Sequence, residues 1–169
     1  MPEKDIKNDK YSLIKMTLEG VRMEHPSLKP IILLKEENGD RLLPIWVGAF
    51  EASAIALALS NFKTPRPMTH DLIINLLRDL NCNTNFVSIS KILDETFYAV
   101  LNIETTEKKI IEIDLRPSDA IAIAVRADCE IFASAEVLSS AGLKITSIEE
   151  EIEKFKDFLD HTNPEDFNI

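Results

Sequence analysis

Two kinds of hydrophobic spacing alternate along the chain. Apolar residues recur at every second position over 14–18, the spacing of a half-buried strand. Other short apolar runs predict strands at 31–34, 42–47, 86–92, 96–103 and 109–115, with one more short strand at 131–133. Helical spacing or an Ala-rich composition predicts helices over 50–59, 72–80, 136–141 and 148–159, and a further helix from about 118. We therefore predict an α+β fold, a single compact domain in which a mixed, largely antiparallel sheet of about six strands is packed by several helices.

Local signals refine this picture at a few positions. Asn38-Gly39 separates two apolar runs and predicts a tight hairpin, because a type I′ turn needs positive φ at both central residues. Thr69 and Ser118 are the predicted helix caps. Trp46 lies in the apolar strand LLPIWVG and is expected in the core, with stacking on a nucleic-acid base as the alternative.

The chain length and polarity predict one domain with two appendages. A length of 169 residues suits a single domain. We expect a flexible tail over 1–10, the main domain over 11–144, and an amphipathic helix and tail over 145–169 whose apolar stripe would dock on something, such as a second subunit. Segments 44–59 and 111–125 both read strand, turn and small-residue helix, which either records a duplication or is chance similarity.

Composition limits the cellular setting and the partners. The first ten residues are polar and nothing approaches an apolar run of ~18 residues, so we expect a cytoplasmic protein without membrane contact. Cys82 and Cys129 are too few for a disulfide framework or a zinc site. The net charge of −10 opposes nucleic-acid binding unless a few focused arginines, a bound divalent metal, or both supply local positive charge.

The candidate chemistry lies in two segments with the same pattern, RPMTHD at 66–71 and RPSD at 116–119. In each, an Arg and a Pro precede a helix whose first turn carries an Asp. A structural interpretation is sufficient for either one, because an acid in the first turn suits the helix dipole and pairs with a nearby Arg. The functional interpretation is that both helix starts, with Glu51 at a third, converge on one pocket.

In the functional interpretation each side chain has a role. The predicted catalytic residues are His70, Asp71 and Asp119, the phosphate clamps are Arg66 and Arg116, and the ligands of a Mg or Mn ion are Glu51, Asp71 and Asp119. Imidazole changes its protonation near neutral pH, which suits His70 for proton transfer. The sequence contains no Gly-rich phosphate loop, no GxSxG, no HExxH and no paired CxxC, which argues against nucleotide-driven, serine-hydrolase and zinc-enzyme classes.

The same segments resemble the bifunctional nuclease domain family of bacteria and plants. The matching pieces run in the family's order over about 12–140, and the most specific are PIWVG, RPMTHDL and RPSDAIA. The resemblance implies a compact α/β domain, a homodimer and cleavage of DNA and RNA. The positions that match the family pattern are Glu51, Arg66, His70, Asp71, Arg116 and Asp119.

Three hypotheses follow. The first is a cytoplasmic nuclease that hydrolyses phosphodiester bonds of DNA and RNA with help from a divalent metal. The second is a non-catalytic regulatory module that binds an anion, a nucleotide or a partner protein through the same face. The third takes the two Arg-Pro segments as determinants of the fold alone.

Overall fold

Eight strands and four helices form the described part of the protein. The structure is a computed structural model, and it describes residues 12–145 and 152–153. The strands are β1 (Leu13–Met23), β2 (Pro30–Glu36), β3 (Arg41–Trp46), β4 (Asn83–Leu93), β5 (Thr96–Glu104), β6 (Ile110–Leu115), β7 (Glu130–Ser134) and β8 (Leu143–Lys144). The helices are α1 (Ala49–Leu59), α2 (Thr69–Asp79), α3 (Pro117–Ala127) and α4 (Ala135–Ala141). The predicted α+β fold is confirmed, with eight strands rather than about six: the seven predicted strand segments correspond to β1 to β7, and β8 is a two-residue strand too short for hydrophobic spacing to mark.

All eight strands belong to one sheet, in the order β6-β5-β4-β7-β1-β2-β3-β8. Every neighbouring pair is antiparallel except β4 and β7, which are parallel. The chain runs β-β-β-α twice, as β1–β3 with α1 and as β4–β6 with α3. β7 is made after both units and lies between their first strands, so it joins the two halves of the sheet.

The core lies between the sheet and helix α3. Seven of the eleven residues of α3 are buried, among them Ala120, Ala122 and Ala124. Their small side chains let α1 lie close beside α3, and α1 contributes Ala52, Ala54 and Ile55 to the buried set. Because α3 is fixed by burial over most of its length, its first turn is a rigid platform for whatever side chains it carries.

Helix α2 is less buried than its sequence predicts. Ile73 and Leu77 pack against the core, but Leu72, Leu76 and Leu80 are more than half exposed. The helix contacts α3 on one side, and the described residues do not cover its other side. Helical spacing over 72–80 predicts an apolar face but does not show how much of that face meets a partner, and these three leucines belong to the part that does not.

Trp46 is also more exposed than predicted. Its side chain is 51% exposed at the end of β3, and its indole N–H donates to a carboxylate oxygen of Glu24 at 3.1 Å. The core prediction for this residue is wrong. The three preceding residues, Leu43, Pro44 and Ile45, are buried, and Trp46 is exposed because it lies at the very end of the strand.

The hairpin between β2 and β3 forms with a longer loop than the sequence suggested. Neither Asn38 nor Gly39 has positive φ, so the predicted type I′ turn is wrong. Four residues, 37–40, connect the strands, whereas a type I′ hairpin has a two-residue loop. Arg41 closes the loop through two hydrogen bonds to the carboxylate of Glu36, at 2.8 and 2.9 Å.

The predicted helix caps are shifted by one or two residues. Met68 is the N-cap of α2 and Arg116 that of α3, so Thr69 and Ser118 lie inside their helices. In α3 the reason is Pro117, whose fixed φ suits the first helical position.

Two predicted segments fall largely outside the described residues. These are the tail over 1–10 and most of the helix and tail over 145–169, of which Ile152 and Glu153 are described as helical. In the described part of the chain, no helix combines the length and apolarity needed to cross a membrane.

Candidate functional site

Three helices begin at the same place on the protein. Glu51 is the third residue of α1, His70 the second of α2 and Asp119 the third of α3. Side-chain hydrogen bonds connect all three. His70 is bonded directly to Asp119, and Arg116, the N-cap of α3, is bonded to both Asp119 and Glu51. We call Glu51, His70, Arg116 and Asp119 the helix-start cluster.

Arg116 is the centre of the helix-start cluster. Its Nε and Nη2 atoms donate to the two carboxylate oxygens of Asp119 at 2.8 and 3.0 Å, a bidentate pairing. Its Nη1 atom donates to Glu51 at 2.9 Å. The side chain is nevertheless 65% exposed, so the guanidinium is oriented by two carboxylates and still faces solvent.

His70 lies on the other side of Asp119. Its Nε2 atom is 3.1 Å from Asp119 Oδ1, and the side chain is only 14% exposed. When the imidazole is neutral, the carboxylate acts as acceptor, so Nε2 carries the hydrogen and Nδ1 keeps its lone pair. Asp119 therefore fixes both the ring orientation and the tautomer of His70.

The electrostatics favour an ionised Asp119. Partial burial acts to raise the pKa of Asp119, but the hydrogen bonds from Arg116 and His70 outweigh it, and the pKa lies below its ordinary value. The same carboxylate raises the pKa of Arg116, first through its hydrogen bonds and then through its charge, with a further contribution from Glu51. The cluster thus contains a fixed cation between two carboxylates.

Asp71 belongs to a separate arrangement. Its carboxylate bonds to Arg126 Nε and accepts the backbone N–H of Met68 at 2.8 Å, which secures the first turn of α2. Arg126 also donates to the carbonyl oxygens of Ala122 and Ala54, at 2.9 and 3.1 Å. Burial tends to raise the pKa of Asp71, and the hydrogen bonds from Met68 and Arg126 lower it below its ordinary value.

Arg126 was missed by sequence reasoning. It lies seven residues after Asp119, on the same face of α3, and its side chain is only 10% exposed. The sequence does carry a signal for it: Arg126 lies at the end of an apolar helix. A charge that is buried with such a helix needs a charged or hydrogen-bonding partner. It ties α1, α2 and α3 together and so holds the three helix starts in register.

Two of the predicted site residues, Arg66 and Asp71, do not join the helix-start cluster. Arg66 is exposed and makes no side-chain hydrogen bond or ion pair to another described residue. Within residues 12–145 and 152–153, no group of three His, Cys, Asp or Glu side chains is placed to hold a metal ion. Glu51 and Asp119 share a guanidinium and Asp71 is bonded to Arg126, so this arrangement does not fit the expected Mg or Mn ligand set.

The helix-start cluster has the parts needed to handle a phosphate ester. Guanidinium has five N–H donors, and the three hydrogen bonds above leave one on Nη1 and one on Nη2 free of described partners. Helix N-termini carry partial positive charge, and three of them meet here. The imidazole of His70 adds a proton acceptor beside the anion-binding group.

Comparison with known proteins places this chain in a family. The model of the bifunctional nuclease domain matches residues 32–146. An uncharacterized protein of Mycobacterium tuberculosis (strain H37Rv) is 44% identical over 158 residues, which cover 88% of this chain and 94% of that protein.

Plant proteins match about two thirds of this chain. Bifunctional nuclease 1 of Oryza sativa subsp. indica is 30% identical over 68% of this chain and 35% of its own length, and bifunctional nuclease 1 of Arabidopsis thaliana is 29% identical over 69% and 37%. The chain therefore spans about a third of the plant proteins and nearly the whole mycobacterial one. The family match over most of the described sheet and all four helices shows that the chain belongs to the bifunctional nuclease domain family.

Proposed function

We propose that this protein is a nuclease that hydrolyses phosphodiester bonds of DNA and RNA at the helix-start cluster. The observation that carries the proposal is the position of Asp119, which binds an exposed arginine with one set of lone pairs and a histidine with another. The plant relatives that bear the name bifunctional nuclease support the reaction class.

Arg116 would bind the scissile phosphate. Its two unused N–H groups suit two phosphate oxygens, and its orientation is set in advance by Asp119 and Glu51. Preorganised donors stabilise the charge that develops on those oxygens as the attacking group approaches. Arg66, exposed at the start of the segment leading to α2, is a second phosphate contact in this proposal.

His70 would move the proton. Nδ1 accepts a proton from a water molecule, the water oxygen forms a bond to phosphorus, and the bond from phosphorus to the leaving oxygen breaks. The leaving oxygen, which lies opposite the attacking water, takes a proton from solvent, and the imidazolium then releases its proton to solvent. Asp119, bonded to Nε2–H, stabilises the positive ring between the two transfers, as the acid of a His-Asp pair does.

In this scheme Asp71 is a positioning residue for His70. Through Met68 and Arg126 it fixes the first turn of α2, the turn that carries His70. Divalent-metal assistance remains a prediction that the chelator arm of the assay below tests, and no step above depends on it.

The test is cleavage of labelled single-stranded DNA, duplex DNA and RNA, each with Mg, Mn or chelator. We expect His70→Ala and Asp119→Asn to lower the rate by roughly 10²- to 10⁴-fold, the size of a lost acid-base contribution. His25→Ala is the matched control, because His25 is an exposed histidine between β1 and β2, outside the helix-start cluster.

Full activity in folded His70→Ala and Asp119→Asn proteins would overturn the proposal. The regulatory module that binds anions would instead be supported if wild type and variants both bind an oligonucleotide or a nucleotide and neither cleaves it. Retained activity in chelator would show that the reaction proceeds without a divalent metal.

We also propose that the protein works as a cytoplasmic homodimer. The two described cysteines are free, which suits a reducing compartment. Leu72 and Leu76 on α2, with Leu80 at its C-cap, form an exposed stripe at a spacing that fits self-pairing of two helices. We expect light scattering to give twice the mass of one chain for the wild type and the mass of one chain for Leu76→Glu. A Leu76→Glu protein that is still a dimer would show that the interface lies elsewhere.

A further inference from the structure

Two exposed aromatic side chains flank the turn that enters the helix-start cluster. Phe50 is 91% exposed and immediately precedes Glu51 at the start of α1. Trp46 ends β3, three residues before α1 begins. Single exposed hydrophobic residues are common on protein surfaces, but two aromatic rings at one turn beside a charged cluster form a local surface with a distinct chemistry.

The Trp46 ring is held in place. Its indole N–H donates to Glu24, and that carboxylate also accepts the hydroxyl of Ser27 at 2.6 Å. These hydrogen bonds fix one edge of the ring while about half of the side chain stays open to solvent. A ring that is already oriented loses little conformational entropy when a flat ligand stacks on it.

The charge of the protein points to the same kind of ligand. With a net charge of −10 the protein gains little from general attraction to phosphates, and in the helix-start cluster two carboxylates face one arginine. Affinity for a nucleic acid must then come from contacts that do not depend on charge. Aromatic stacking on a base is such a contact, and only unpaired bases offer a free face.

We propose that Phe50, together with Trp46, stacks on unpaired bases next to the bound phosphate and selects single-stranded over duplex nucleic acid. This inference rests on the proposed function for the position of the phosphate at Arg116. Phe50 acts on binding and takes no part in proton transfer.

The experiment measures binding of a labelled single-stranded oligonucleotide by fluorescence anisotropy. The His70→Ala protein is used so that binding is followed without turnover by the proposed mechanism. We expect Phe50→Ala to weaken binding roughly 5- to 150-fold, the range for loss of one stacked base. Phe50→Tyr should bind as the parent does. Phe62→Ala is the matched control, because Phe62 is an exposed phenylalanine just beyond the opposite end of α1.

Two further measurements separate stacking from a structural effect. Trp46 is the only tryptophan, so its fluorescence should be quenched by the oligonucleotide and left unchanged by one that is abasic along its length. The abasic strand should bind Phe50→Ala and parent equally well. Equal affinity of Phe50→Ala and parent for the normal strand, or no binding by either, would overturn the inference.

The outcomes also separate this inference from the proposed function. Stacking without any cleavage by the wild type would reject the nuclease and leave the aromatic site standing. Cleavage by the wild type with unchanged KM in Phe50→Ala would leave the nuclease standing and reject the aromatic site.

Discussion

Asp71 and Asp119 are each the third residue of a helix, and each carboxylate is bound by an arginine: Arg126 in α3 for Asp71, and Arg116 at the N-cap of α3 for Asp119. The two arginines differ in their surroundings. Each guanidinium gives three hydrogen bonds to the protein, but the side chain of Arg126 is only 10% exposed whereas that of Arg116 is 65% exposed. The same pair of residue types therefore serves structure in one place and is available to a ligand in the other.

The two arginines should differ in their effect on stability. We expect Arg126→Met to lower the free energy of unfolding by about 2 to 4 kcal/mol, because it leaves Asp71 and two carbonyl groups without their donor. Arg116→Met, at an exposed pair, should cost about 1 kcal/mol or less. Urea unfolding at pH 7 compares them directly. Equal losses would show that both arginines are structural.

The lowered pKa of Asp71 gives stability that depends on pH. The unfolded chain binds this proton more tightly than the folded one, so the contribution is complete above the unfolded pKa and is lost as pH falls through the folded value. The gap in unfolding free energy between wild type and Arg126→Met should therefore be widest near neutral pH and narrow below about pH 4. A gap that stays constant down to pH 2 would contradict this coupling.

At the scale of the elements, the site depends on how three helices begin. Gly48, the N-cap of α1, has φ of −72°, a conformation open to any residue. A Cβ there would meet the carboxylate of Glu51, the mobile end of a flexible side chain. Gly48 thus leaves room for the rotamer with which Glu51 reaches Arg116.

Gly48→Ala should consequently separate stability from activity. We expect Glu51 to turn away from Arg116, activity to fall, and the melting temperature to change by no more than a few degrees. Glu51→Gln, which keeps the shape and loses the charge, is the companion variant. Activity at the wild-type level in both would remove Glu51 from the site.

Each helix start could be predicted from a few neighbouring residues, but their meeting could not. Glu51 and Arg116 are 65 residues apart, and His70 and Asp119 are 49 apart, so their contact depends on the sheet order and on the burial of α3. The hydrophobic spacing of α2 likewise predicted an apolar face but did not predict how much of that face is buried. Local propensity predicted the elements, whereas long-range packing decided which charged side chains became partners.

At the scale of the whole molecule, the number of cationic contacts determines how strongly the affinity for nucleic acid depends on salt. For single strands the logarithm of the affinity falls linearly with the logarithm of the salt concentration, and the slope is proportional to the number of phosphates neutralised. With Arg116 and Arg66 as the proposed phosphate contacts, we expect affinity to drop about sevenfold between 50 and 200 mM salt. Titrations across this range check the value, and a fall of more than a hundredfold would indicate a basic surface beyond these two residues.

The central place of β7 constrains how the protein can be made. Its partners β1 and β4 belong to units that leave the ribosome earlier, yet the seam between them closes only once residues up to 134 have emerged. Until then each nascent unit presents an open strand edge, the feature through which unfinished chains aggregate. The strand that makes two halves one sheet is thus among the last to be synthesised, and a chain truncated before it retains both helix starts of the Arg116–Glu51 pair without the complete sheet that aligns them.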